Sequence, residues 1–227
     1  LMKLMKLLCA MTLFLSLTSC IEIIDDLSIS GDGSGTFKYH INLSSSKIKI
    51  NSILALDSLD GKKVPSIAEI QSRADKIVKQ LKEQNGITNV VFDANYTDFI
   101  FKVTCDFNNL NQLQSAIVNV IKSESKEKEM PELNHTWVSF SQNTLKRSVP
   151  QITIKKAQSI NKNDSDLLKQ GSYTSITRFE KEIERIENEN ANLSKNKKAV
   201  MIRTDPYSLT QNPHLLDNMI YLVKTTN

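Results

Sequence analysis

The sequence predicts an α+β fold, an antiparallel sheet with two main amphipathic helices packed on one face, and three observations predict it. Segments that alternate apolar and polar residues come in pairs joined by turn-forming residues, the pattern of half-buried strands in hairpins. Two other segments repeat apolar residues every three to four positions, as a helix lying on a core does. Single helices separate the strand pairs, an order that suits helices laid on one side of an antiparallel sheet.

The first pair is Ile21 to Ser30 and Thr36 to Leu43, joined by the turn Gly31-Asp32-Gly33-Ser34-Gly35. Phe37, Tyr39, Ile41 and Leu43 share one face of the second strand, which leaves His40 on the other with Lys38 and Asn42. Ile48 to Leu59 fits a strand or a short helix, and Asp60-Gly61 is a turn. The clearest helix begins after Ser66, where Pro65 precedes an S-x-x-E capping box closed by Glu69. Ile67, Ile70, Ala74, Ile77, Val78 and Leu81 form its apolar face, and Asn85-Gly86 stops it.

Ile87 to Phe92 and Thr97 to Phe107 form the next hairpin, with Phe99, Phe101, Val103, Cys105 and Phe107 on one face, so Cys105 reads as a core thiol. A second amphipathic helix follows on Leu110, Leu113, Ile117, Val120 and Ile121. Ser123 to Asn134 is a charged loop, Thr136 to Phe140 and Pro150 to Ile154 are short strands, and Lys155 to Gly171 is polar. Tyr173 to Ile186 carries both periods and is read as one long strand. Glu187 to Lys197 and the strand Ala199 to Ile202 complete its hairpin, and Asn218 to Val223 adds a closing strand.

The N-terminus obeys a different logic. Lys3 and Lys6 precede an apolar run, Leu7 to Leu17, and then Thr18, Ser19 and Cys20. Basic head, apolar body and small residues in that order make residues 1–19 a signal peptide. The run is shorter than the ~20 apolar residues a membrane span needs. Leu1 is taken as a non-AUG or mis-placed start, with Met2 or Met5 as the initiator. Leu17-Thr18-Ser19-Cys20 resembles the bacterial lipobox, in which Leu17, Thr18 and Ser19 are the signal-peptidase recognition residues. The resemblance implies a diacylglyceryl group on the Cys20 sulfur, cleavage before Cys20 and acylation of the new amine. Residues 20–227 are then a single domain tethered through Cys20.

Composition limits what this domain does. The chain has 29 basic and 25 acidic side chains, and the signal carries away Lys3 and Lys6, so the mature part keeps a net charge of +2. A nucleic-acid binder needs a strongly basic face, and none is legible. Of the three cysteines, Cys9 leaves with the signal and Cys20 is lipidated, so Cys105 stands alone without an internal disulfide.

The chain also resembles uncharacterised lipoproteins of Bacteroidota. The likeness rests on the lipobox, the "DGSG" turn Asp32 to Gly35, the segment "DFNNLNQLQSAI" from Asp106 to Ile117, and "ITRFEKEI" from Ile176 to Ile183. It implies an envelope location and an α+β domain, and it carries no activity or substrate. Asp57-Ser58-Leu59 matches the D-[ST]-apolar pattern on which Bacteroidota O-glycosylate exported proteins.

Motifs for chemistry are scarce. Gly31 to Gly35 lacks the ligand pattern of a calcium loop and the G-K-[ST] of a phosphate loop. His40, His135 and His214 have no metal-ligand spacing, so no metal and no cofactor are expected. Glu180, Glu182, Glu184, Glu187 and Glu189 interleave with Lys181 and Arg185 as a solvated mixed-charge run. Trp137, the sole tryptophan, either packs on the sheet edge or lines a sugar or lipid pocket beside His135.

The expected function is therefore that of a membrane-anchored envelope lipoprotein, a non-enzymatic binding or assembly module. Its partners are membrane lipid through acylated Cys20 and an envelope protein or apolar ligand, with no nucleic acid. The outer membrane, periplasmic face, is favoured over the cell surface because Ile21, Ile23 and Ile24 interrupt the acids Glu22, Asp25 and Asp26. The alternative is an envelope hydrolase whose site is assembled from distant carboxylates. A third reading, a structural subunit of an envelope machine, predicts a large exposed apolar patch.

Overall fold

The computed structural model describes residues 21–125, 130–148 and 168–224. Cys20 and the lipobox residues Leu17, Thr18 and Ser19 lie outside them, as does the strand expected at Pro150 to Ile154. The fold is α+β. Strands β1 (Glu22–Ile29) and β2 (Gly35–Asn42) form the expected hairpin, in which Asp25 pairs with Tyr39 and Leu27 with Phe37. The turn between them is closed by its own groups: Ser30 N–H donates to the Ser34 carbonyl at 2.8 Å, and Asp32 accepts from the Ser34 amide and hydroxyl at 2.9 and 2.6 Å. Gly33 has φ +86°, and a Cβ on Gly35 would lie 1.9 Å from the Ser28 carbonyl oxygen, so both positions need glycine.

A short 3₁₀ turn at Ser44–Ser46 leads into helix α1 (Lys47–Leu54), the helical choice of the two open for this segment. Two-residue strands β3 (Ser58–Leu59) and β4 (Lys62–Lys63) flank the Asp60-Gly61 turn. Helix α2 (Ile67–Lys82) starts at the capping box. Glu69 N–H donates to Ser66 Oγ at 3.2 Å, and Ser66 N–H donates to the Glu69 carboxylate at 2.7 Å. Lys63 bonds the same carboxylate, and together these donors hold the Glu69 carboxyl down to about 2.

Strands β5 (Ile87–Asn95) and β6 (Ile100–Phe107) form the second hairpin. Thr97 to Phe99, expected in the strand, belong instead to its turn: Asn95 Oδ1 accepts from the amides of Thr97 and Asp98, and Phe99 takes φ +55°. Helix α3 (Leu110–Glu124) follows, and it continues through Ser123 and Glu124 into the start of the expected loop.

The remainder extends the first sheet and builds a second one that hydropathy alone did not separate from it. Strands β7 (Val138–Ser141) and β8 (Thr144–Arg147) make a tight hairpin, the second strand of which was not foreseen. The long strand expected over Tyr173 to Ile186 is two strands. Its first part, β9 (Ser172–Phe179), lies beside β1, while β10 (Ile183–Ile186) joins the other sheet. Glu180 to Glu182 break the continuity, and Glu180 turns back to accept from the Gly31 amide at 2.8 Å. Strands β11 (Ala191–Leu193) and β12 (Ala199–Thr204), helix α4 (Pro206–Gln211) and strand β13 (Asn218–Leu222) complete the described chain.

The large sheet runs β11-β12-β9-β1-β2-β6-β5 and the small one β10-β13-β8-β7. All their pairings are antiparallel except β1 with β9, which is parallel. One inner face of the large sheet carries Leu27, Ile29, Cys105, Phe107, Phe179 and Val200. They form one core with Leu110, Leu113 and Ala116 of α3 and with Val138, Leu145 and Ile220 of the small sheet. Burying a side chain such as Phe107 fully contributes about 1.5–3 kcal/mol.

Candidate functional site

The inner face of the large sheet changes character along its length. Toward the Gly31–Gly35 turn it is the apolar core just described. Two residues back along β1, Asp25 occupies an inward position, and the face becomes polar while remaining buried. Side chains alternate along a strand, so Asp25 shares its face with Leu27, and register brings Tyr39 of β2 and Ser175 of β9 beside it. Tyr173, one inward position further along β9, donates its hydroxyl to Asp25 Oδ2 in a short hydrogen bond.

The cation that answers Asp25 comes from the other sheet. Arg147 ends β8 two residues after the fully buried Leu145 and therefore points to the same inner side. Its Nη2 donates to Asp25 Oδ1 at 2.6 Å, and its Nη1 donates to the Ile176 carbonyl at 3.1 Å and Thr177 Oγ1 at 2.9 Å. Only 13% of the Arg147 side chain and 10% of the Asp25 side chain remain exposed, so this is a buried ion pair. A carboxylate removed from water needs its oxygens satisfied, and here both are.

The cluster is chemically quiet as it stands. Burial, and then the charge of Asp25, push the Tyr39 hydroxyl up to about 12. The same two causes raise Tyr173 well above the usual phenol range. Both phenols stay protonated at neutral pH, and Arg147 spends three of its donor contacts on fixed protein acceptors. The arrangement clamps the small sheet onto the large one at the end where the apolar core stops.

The residues singled out by sequence fall as follows. Cys105 is 2% exposed, and burial pushes its thiol up to about 11, so it is an inert core group. Trp137 is buried in the main core, its backbone N–H donating to Gln114 Oε1, which decides for packing over a pocket. The His135 ring lies tilted against it at 5.9 Å between ring centroids, His40 sits on the outer face in register with Lys102, and His214 bonds Asp217 at 2.7 Å. Among the described residues no group of three or more histidine, cysteine or acidic side chains is placed to hold a metal. Of the acidic run, Glu180 bonds Gly31, and Glu187 accepts from Arg185 at 3.0 Å and from Tyr221 at 2.7 Å. Ser58 is exposed on β3.

Sequence reasoning placed Asp25 only in an acidic stretch behind Cys20. The signal that would have found it is its even spacing from Ile23, Leu27 and Ile29, which puts it on the buried face of a strand read as half-buried. Its partners Arg147 and Tyr173 had no such signal, because they lie more than 100 residues away.

No protein-family model matches the chain, and no curated protein matches it. Among solved structures it is similar to the folded domain of the LppM protein of Mycobacterium tuberculosis, determined by NMR. The identity is 10% over 92% of this chain and 91% of that one, with a TM-score of 0.41. At that level the likeness bears on neither activity nor location.

Proposed function

We propose that this chain is a lipid-anchored envelope protein, acylated at Cys20 after cleavage behind Ser19, whose α+β domain binds or assembles with an envelope component rather than turning over a substrate. The observation that carries the reading is the short passage from lipobox to fold. Cys20 stands two residues before Glu22, the first residue of β1, and β1 is the central strand of the seven-stranded sheet. A signal peptide left in place would leave an apolar segment joined to that central strand. Cleavage with acylation converts the same point into a tether, and two or three acyl chains hold a protein stably in a bilayer.

The binding half of the proposal draws on the buried cluster. Its carboxylate is matched by Arg147 and Tyr173, a geometry that fixes one sheet against another. We place the protein on the periplasmic face of the outer membrane. Incorporation of an alkyne fatty acid, followed in membrane and soluble fractions, tests the reading. Wild type is expected to be labelled and wholly membrane-bound, and Cys20→Ala unlabelled. Equal partitioning of an unlabelled wild type would refute it.

A further inference from the structure

Between α2 and β5 the chain turns on a residue pair with a chemistry of its own. Asn85 is exposed, and it is the one asparagine in the sequence that is followed by glycine. Two constraints demand glycine at position 86: its φ is +76°, and a Cβ there would lie 2.1 Å from Gln112 Oε1. The Gly86 carbonyl accepts from the Asn108 N–H at 3.0 Å, so this turn is tied to the start of α3. The amides of Gln84 and Ile87 are engaged as well, donating to the carbonyls of Leu81 and Gln84, each at 3.2 Å. The Gly86 amide between them, and the Asn85 side chain, make no hydrogen bond among the described residues.

Two other exposed sites of related sequence are closed. Asp32 also precedes a glycine, but the Gly33 amide donates to the Ser30 carbonyl at 3.0 Å, and the Asp32 carboxylate accepts from the Ser34 amide and hydroxyl. Asn51 precedes the small residue Ser52, but both lie inside α1, where the helical ladder fixes the backbone and occupies the Ser52 amide. At Asn85 the following amide nitrogen is uncommitted, and a residue without a Cβ leaves its approach to the side-chain carbonyl uncrowded. The glycine that the turn requires is the residue that opens its neighbour to attack.

We propose that Asn85 is a site of spontaneous deamidation in the folded protein, and that its conversion loosens the joint between α2, β5 and α3. The Gly86 amide nitrogen gives its proton to a solvent base and attacks Asn85 Cγ. A C–N bond forms, the Cγ–Nδ2 bond breaks, and Nδ2 takes a proton from solvent and leaves as ammonia. Water then opens the five-membered imide at either carbonyl, giving aspartate or isoaspartate without oxidation or reduction. Both products set a new carboxylate just beyond the C-terminus of α2, next to Glu83, where the helix dipole disfavours negative charge. Isoaspartate also adds one carbon to the main chain in the turn whose Gly86 carbonyl holds Asn108.

The test ages the full folded chain in mildly alkaline buffer, beside the urea-unfolded chain and Asn85→Gln, and maps the peptides by mass after digestion in weak acid. The peptide carrying Asn85 is expected to gain the mass of an amide-to-acid exchange several-fold faster than the peptide carrying Asn51. Isoaspartate is expected among its products, with no such gain in Asn85→Gln. Hydrogen exchange at the Asn108 amide should be faster in the aged fraction. An Asn85 that stays intact in the folded chain while converting in urea means that the fold closes the site, and overturns the proposal. Conversion to aspartate alone overturns the attack by Gly86, because direct hydrolysis makes no isoaspartate. Isoaspartate with unchanged exchange at Asn108 keeps the site and overturns the loosening.

Discussion

The two ends of the large sheet solve the same burial problem with opposite chemistry. Around Phe107 and Leu27 the inner face is apolar, closed by α3 and the small sheet. Around Asp25 it is polar, closed by one arginine from the small sheet and two tyrosines of its own. The apolar end draws on area removed from water, which is non-directional and tolerant of repacking. The polar end depends on partners that must all be present, because a buried charge stripped of its partner costs more than the pair contributes. The difference teaches where each end is fragile.

Cutting into the apolar end is expected to have the largest simple effect. Phe107→Ala should destabilise the domain by about 3–5 kcal/mol, measured by urea unfolding, with no second substitution nearby restoring it. Arg147→Met should cost a comparable ~3–5 kcal/mol by stranding Asp25. Here the double variant Asp25→Leu, Arg147→Met should recover most of the loss, and failure to recover would remove the contrast between the ends.

The next effect sharpens the comparison by pH. Tyr39 is held at about 12 against an ordinary 10.0, and Cys105 at about 11 against 9.0. Between each pair of values the unfolded chain has released its proton while the folded one keeps it, so stability falls as pH rises. Alkaline unfolding should therefore begin above about pH 9. Cys105→Ala should remove the part of the slope between 9 and 11, leaving the tyrosine part at higher pH.

Smaller effects belong to the surface. Ser66→Ala removes the acceptor that caps α2 and should cost about 1 kcal/mol. Ile48→Ser should change stability by no more than about 0.5 kcal/mol, since the side chain packs on little of the protein. A large loss there would mean that α1 is held by contacts its exposure does not reveal.

The elements that could be read from the sequence were those whose signals are local. The Ser66–Glu69 capping box, the Gly31–Gly35 turn and the alternation that buries Cys105 and Phe107 each lie within a dozen residues, and the structure places all three as expected. Tyr173 to Ile186 misled because its alternation is real in both halves. What splits it is the exchange of partners, β1 for Ser172–Phe179 and β13 for Ile183–Ile186, and no local residue encodes that choice. The Asp25 cluster was illegible for the same reason. Its cation and its phenol come from segments 122 and 148 residues away, joined only by the packing of two sheets.

The most direct test of the account is the intact mass of protein extracted from membranes, wild type beside Cys20→Ala. The account predicts a chain that begins at Cys20 and is heavier than the bare polypeptide by two or three acyl groups, with the variant unprocessed or unlipidated. An unmodified mass, or a chain cut elsewhere, would contradict it and detach the Glu22 end of the sheet from the membrane.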